Sequence, residues 1–153
     1  MTLSVIDRVQ QFLLTAKITI PKTYKGYGIK VVDHTPDATG NAWIGIWDFD
    51  KDLNGTIYLE RKYVNAIKKN DKLKSNLKET LEHEAREANL AKAKVTKEYG
   101  DPLKIPFKKR KKLLDKAGAD AHHGVVTAMH PGWTEKHYLA QLDKELAGTG
   151  LEG

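Results

Sequence analysis

The stretch KLKSNLKETLEHEAREANLAKAKV, from Lys72 to Val95, decides how the rest of the chain is read. Leu73, Leu77, Leu81, Ala85 and Ala88 recur at spacings of three and four, which on a helix makes one apolar stripe. Thr80, His83, Glu84 and Glu87 fall beside that stripe. Gly100 and Pro102 in EYGDPLKIP then end the pattern. The spacing predicts a long helix over about 70–97, with His83 at the margin of its buried face. A histidine in that position needs a partner.

Upstream of the helix the period changes. YGIKVVDH, with Ile29, Val31 and Val32, reads as a strand, and a loop with Pro36, Asp37 and Gly40 follows. NAWIGIWDFD reads as a second strand, with Trp43, Gly45 and Trp47 on one face and Ile44 and Ile46 on the other. DLNG is a turn signal leading into TIYLERKYV, a third strand in which Ile57 and Leu59 share a face. The sheet thus spans 27–65. Before it, Val5, Val9, Phe12 and Leu13 predict a helix over 1–16, with Thr2 or Ser4 as cap.

Downstream, a helical stretch runs from Phe107 to Lys116, Gly118 interrupts, and ADAHHGVVTAMH forms another stretch that stops at PGW. TEKHYLAQLDKELA predicts a last helix capped by Thr134, with Tyr138, Leu139, Leu142 and Leu146 inward. These C-terminal helices occupy 105–147, and the Gly-rich 148–153 is a flexible tail. The order describes one α+β domain over 1–153, in which a small antiparallel or mixed sheet of three to four strands packs on the long helix.

The 153 residues are 40% hydrophobic and 30% charged, the composition of a globular rather than a disordered chain. No apolar run is long enough for a membrane span, and VQQFLLTAKITI lacks a small-residue cleavage site. A cytoplasmic protein with no membrane partner is expected. With no cysteine, disulfides, thiolate zinc sites and cysteine nucleophiles are excluded. Much of the formal charge of +6 comes from KIPFKKRKKLLDK, Lys104 to Lys116. Its KKRKK run, Lys108 to Lys112, could contact phosphate backbones. No aromatic interleaving or helix-turn-helix spacing accompanies it, and a solvated connector that tolerates neutralisation is the expectation.

Chemistry concentrates on the long helix. Residues four apart lie on one face, so His83 and Glu87 can both reach one ion, and an imidazole nitrogen and a carboxylate oxygen are good zinc ligands. Glu84 lies about 100° around the helix, the offset of a residue that faces the ion's water and acts as general base. A further ligand must come from outside the helix. His34 and His137 read as loop and surface residues. His123 and His130 are seven apart and share a face, which favours His123 as a ligand and His130 as a further ligand or supporting group. His122, offset by about 100°, is the alternative. Asp120 is a candidate to orient a ligand histidine, Tyr138 or Tyr99 to stabilise an oxyanion, and Arg86 to pair with a carboxylate such as Glu82.

With GTIYLE followed by a helix carrying LEHEARE, the chain resembles the minimal zincin core of small gluzincin-like metallopeptidases. DAHHGVVTAMH resembles the second signature of small metallopeptidase-like proteins of phage and prophage genomes. Those proteins carry a His-Glu-x-x-Glu helix and a later Ala-His segment, with Thr four and an acid seven residues after the His. The matching positions are His83, Glu84, Glu87, His123, Thr127 and His130. His122 stands where the pattern has Ala, and His130 where it has an acid. The resemblance implies a zincin-like fold in which TIYLE, Thr56 to Glu60, is an exposed sheet edge that binds an extended peptide. It also implies one Zn2+ and hydrolysis of a peptide or protein substrate with Glu84 as base. Two other classes remain: a non-catalytic protein stabilised by its metal, and a basic nucleic-acid-binding or packaging-associated module.

Overall fold

In a computed structural model, residues 19–33, 44–70 and 73–145 are described. Strands β1 (Thr23–Tyr24), β2 (Tyr27–Val32), β3 (Gly45–Phe49) and β4 (Gly55–Glu60) form one mixed sheet in the order β1-β2-β4-β3. Four helices follow: α1 (Arg61–Lys69), α2 (Lys74–Tyr99), α3 (Phe107–Met129) and α4 (Glu135–Glu145). A single 3-10 turn, Pro102–Lys104, joins α2 to α3. The segregated α+β order is as expected. The predicted N-terminal helix, the Pro36–Gly40 loop with His34, Trp43, and the 148–153 tail lie outside the described residues. Among the described residues no helix is long and apolar enough to cross a membrane.

Three expectations change. The segment Thr56–Glu60 is not the sheet edge: β4 runs parallel to β2 (Gly28↔Thr56 to Val32↔Glu60) and antiparallel to β3 (Gly45↔Leu59 to Phe49↔Gly55). Ile57 and Leu59 are fully buried, and a strand carrying such residues gains most with a neighbour on either side. Among the described residues β3 is the edge strand that lies against α2 at Glu84. Second, TIYLERKYV is a strand only to Glu60, because Tyr63, Val64 and Ile67 continue at helical spacing and bury the inner face of α1. Third, Gly118 does not break the C-terminal region. Arg110, Leu114, Ala117, Gly118, Val125 and Val126 are the buried face of one uninterrupted helix.

The long helix holds the fold together. Its Leu77, Leu81, Ala85, Ala88, Ala91 and Val95 are buried against the sheet and α3, the small residues allowing close approach. Glu82 ties the β1–β2 hairpin to it, accepting hydrogen bonds from Tyr24, from Lys25 at 2.9 Å and from Arg86 at 2.8 Å. The Lys25, Tyr24 and Arg86 contacts hold the Glu82 carboxyl down to about 2, against an ordinary 4.5. A lowered carboxyl stabilises the fold above its ordinary pKa, and that contribution disappears as the pH falls from 4.5 towards 2. Because Lys25 and Arg86 are about half exposed, solvent screening leaves on the order of 1–2 kcal/mol. Glu82→Gln should therefore lower stability at pH 7 by that amount and flatten the acid limb of a pH-dependent urea titration. An unchanged acid limb would show that the cluster contributes nothing.

The basic run also differs from a plain connector. Arg110, its central residue, is buried and donates to the carbonyls of Pro102 (3.3 Å), Asp50 (3.3 Å) and Lys51 (2.8 Å). It fastens the β3–β4 turn to the start of α3. The four flanking lysines are exposed.

Candidate metal centre

His83 and Glu87 come from successive turns of α2, and the antiparallel α3 presents a residue to them from across the helical hairpin. That residue is His122. Its Nδ1 lies 3.2 Å from His83 Nε2 and 3.1 Å from Glu87 Oε2, which is itself 3.1 Å from His83 Nε2. Three donor atoms thus form a nearly equilateral triangle, with His83 buried and the other two partly so.

With Glu87 ionised, protons satisfy this triangle poorly. Each facing nitrogen carries at most one hydrogen. If both donate to the carboxylate, two N–H groups crowd each other. If either nitrogen is bare, its lone pair faces the carboxylate oxygen. One edge is then unfavourable. A cation attracted by all three lone pairs leaves no such edge. Three tetrahedral zinc ligands at about 2.1 Å sit about 3.4 Å apart, within a few tenths of an ångström of the distances here. The N,N,O donor set suits zinc and other borderline divalent ions. His83 Nδ1 is buried with no hydrogen-bond partner among the described residues, so this histidine costs the fold stability in either tautomer.

The charges are arranged to keep Glu87 ionised. Burial pushes its carboxyl up, but hydrogen bonds from His122 and His83, the charge at His83 and the Trp47 indole hold it down to about 2. Trp47 Nε1 donates to Glu87 Oε1 at 3.1 Å, leaving Oε2 for the triangle. Glu87 in turn raises His122 above its ordinary pKa, chiefly by their hydrogen bond. Glu84 behaves oppositely. Burial, reinforced by the charge of Glu87, pushes its carboxyl well above the usual range although part of its surface stays open. It lies over β3 at Gly45, where an added Cβ would come within 3.5 Å of Glu84 Cγ and 3.0 Å of Thr80. Tyr138 of α4 stacks on His83, with ring centroids 5.3 Å apart and planes 14° from parallel. Burial and the surrounding carboxylates raise its pKa, so its O–H stays a donor at neutral pH.

The other sequence candidates lie apart. His123 is exposed on the outer face of α3, where Thr127 Oγ1 donates to its carbonyl. His130 stacks on Trp133 at 4.0 Å and sits 3.6 Å from Glu79, near Tyr138 but outside the triangle. Asp120 pairs with Lys94 at 3.1 Å and touches no ligand histidine. Tyr99 is exposed at the far end of α2. Arg86 pairs with Glu82 as expected. His137 helps close the Thr134 cap, its N–H donating to Thr134 Oγ1 at 3.2 Å. Leu139, expected inward, is exposed, because α4 covers the centre through Tyr138 and buries none of its own residues fully.

Carrying the phase of α3 through Gly118 would have selected His122 over His123. Leu114, Ala117, Ala121, Val125 and Val126 put position 122 on the inner face. The glycine is there for a neighbour: a Cβ at 118 would lie 2.4 Å from Trp47 Cζ2, in the ring that hydrogen-bonds Glu87. Gly118→Ala should therefore destabilise the protein by about 1–2 kcal/mol, the overpacking cost exceeding the helix-propensity gain of about 1 kcal/mol. A stabilised variant in urea denaturation would mean that Trp47 is free to move aside.

No protein family, curated protein or solved structure matches the chain.

Proposed function

We propose that the protein is a single-zinc hydrolase that acts on peptide bonds. The observation that carries the reading is the His83–Glu87–His122 triangle, which one cation satisfies better than protons do while Glu87 is ionised. Held by His83, Glu87 and His122, a zinc ion would supply a Lewis acid that polarises a carbonyl and acidifies water. Glu84, next in sequence to His83 and offset around the helix, would take the proton of a water whose oxygen bonds to the carbonyl carbon and pass it to the amine as the C–N bond breaks. Tyr138, its O–H retained, donates to the carbonyl oxygen as negative charge develops. Among the described residues β3 pairs with β4 alone, so its outer edge can take an extended peptide through main-chain hydrogen bonds beside Glu84.

The likeness to gluzincin-type phage proteins belongs to this proposal. His83, Glu84 and Glu87 keep its helix pattern, while His122 rather than His123 completes the triangle, one position off the second signature.

Protein purified without affinity tag or added metal should contain about one zinc per chain. Chelation should lower the Tm and zinc should restore it, since a ligand that binds only the folded state stabilises it by mass action. The metal-loaded protein should cleave members of a peptide library. An absence of metal together with no zinc-dependent Tm shift would end the metal reading. Bound zinc without cleavage would leave a metal-stabilised protein and remove the enzyme.

A further inference from the structure

The end of the α2–α3 hairpin carries a surface that the metal centre does not use. Five large apolar residues are exposed among the described residues, and three of them lie within nine positions there: Tyr99 (53% exposed), Leu103 (55%) and Phe107 (41%). Tyr99 ends α2, Leu103 sits in the 3-10 turn and Phe107 begins α3. The same corner concentrates the chain's charge. From Lys97 to Lys112 there are seven cations against Glu98 and Asp101, a net +5; the end of β3 and the β3–β4 turn that Arg110 fastens to this corner add Asp48, Asp50 and Asp52 against Lys51, which leaves +3. Lys97, Lys104, Lys108, Lys109 and Lys112 are exposed and form no ion pair with a described residue. Lys111 is paired with Asp48 at 3.5 Å.

The corner is also built to stay in place. Asp101 caps the 3-10 turn by accepting from Leu103 N, and the buried Arg110 lies under the Phe107 ring, 5.4 Å from its centroid. We infer that this corner docks on an anionic lipid surface, with Tyr99, Leu103 and Phe107 entering the headgroup region and the lysines resting on acidic headgroups.

Residue type favours lipid over nucleic acid. A bilayer deforms around an exposed apolar group whereas a duplex does not. Leu103 is aliphatic and has no ring to stack on a base. The exposed cations are lysines, suited to diffuse attraction by headgroups. The one arginine, the residue best matched to phosphate recognition, is buried and occupied by three carbonyls. Sixteen residues separate Tyr99 from His83, about 24 Å along the helix, so docking leaves the metal centre clear of the bilayer. The inference does not depend on the hydrolytic reading.

The chain has no cysteine, so Leu103→Cys accepts a single environment-sensitive dye, with Leu139→Cys on α4 as control. On vesicles of phosphatidylcholine with about 30% phosphatidylserine, the dye at 103 should shift to the blue and that at 139 should not; pure phosphatidylcholine should shift neither. In sedimentation, replacing Lys104, Lys108, Lys109 and Lys112 by Gln should weaken binding roughly a hundredfold or more. The pair Leu103→Ser and Phe107→Ser should weaken it about tenfold or more. Leu103→Ser alone, at a half-exposed site, reads the same effect if the pair melts early. An unshifted dye at 103, vesicle binding indifferent to the serine variants, or a dye response to a short DNA duplex but not to vesicles would each overturn the inference.

Discussion

His122→Ala should abolish metal binding while its neighbour His123→Ala leaves it intact. The two residues are adjacent and chemically identical, so the contrast isolates geometry. His122 Nδ1 lies 3.1–3.2 Å from both other donor atoms, whereas His123 faces away on the outer surface of α3. Removing one of three protein ligands should cost at least about a hundredfold in zinc affinity, more than supporting groups around metal sites usually contribute. Competition against a chromophoric chelator would read this directly, and the zinc-dependent Tm shift should vanish in His122→Ala alone. The variant also removes the partner that holds Glu87 ionised, so the metal-free form should be modestly less stable. Equal zinc affinity in both variants, or loss in His123→Ala only, would mean that α3 is rotated from the position described.

Glu84→Gln should keep the metal, stabilise the metal-free fold and remove hydrolysis. These effects come from one cause. The Glu84 carboxylate is largely buried beside the charge of Glu87, so its ionised form is costly in the folded state. Because its pKa is raised, its contribution to stability is intact below the ordinary 4.5 and is lost progressively as the pH rises through the folded value. The Tm gain of Glu84→Gln should accordingly be small near pH 4.5 and grow to a few degrees at neutral pH. Activity should fall on the order of a hundredfold or more, since the amide cannot accept the proton. Glu87→Gln should do the reverse, losing the metal itself, because an amide oxygen is a poor zinc ligand beside a carboxylate. Retained turnover in Glu84→Gln would refute its role as base. Equal metal loss in both glutamine variants would reverse the roles given to the two glutamates.

Most of what made a metal centre worth seeking was local. The apolar stripe from Leu73 to Ala88 is a matter of helical period, and His83, Glu84 and Glu87 take their relative directions from that period alone. The long helix, the turn at Asp50–Asn54, the segregated strand and helix order and the Arg86–Glu82 pair could all be read without a fold. Local pattern misled where a residue's role is set from outside its own segment. Gly118 looks like a helix break by propensity, yet it is required because the Trp47 ring, seventy-one residues earlier, occupies the space of its missing Cβ. The seven-residue spacing to His130 favoured His123, whereas the period of α3 carried through Gly118 puts His122 on the inner face.

The sheet order shows the same division. Alternation identifies Ile57 and Leu59 as one buried face of a strand, but which neighbours that strand has is a choice among long-range pairings that period cannot express. Only the assembled sheet puts β4 inside and, among the described residues, β3 at the edge by Glu84. Arg110 could not be told from its four lysine neighbours, since the three carbonyls that bury it come from two other parts of the chain. The sequence by itself therefore determined the elements and the directions of side chains within each. Tertiary structure decided which elements meet, and with that the third donor of the triangle, because contacts between distant segments depend on packing that no local period encodes.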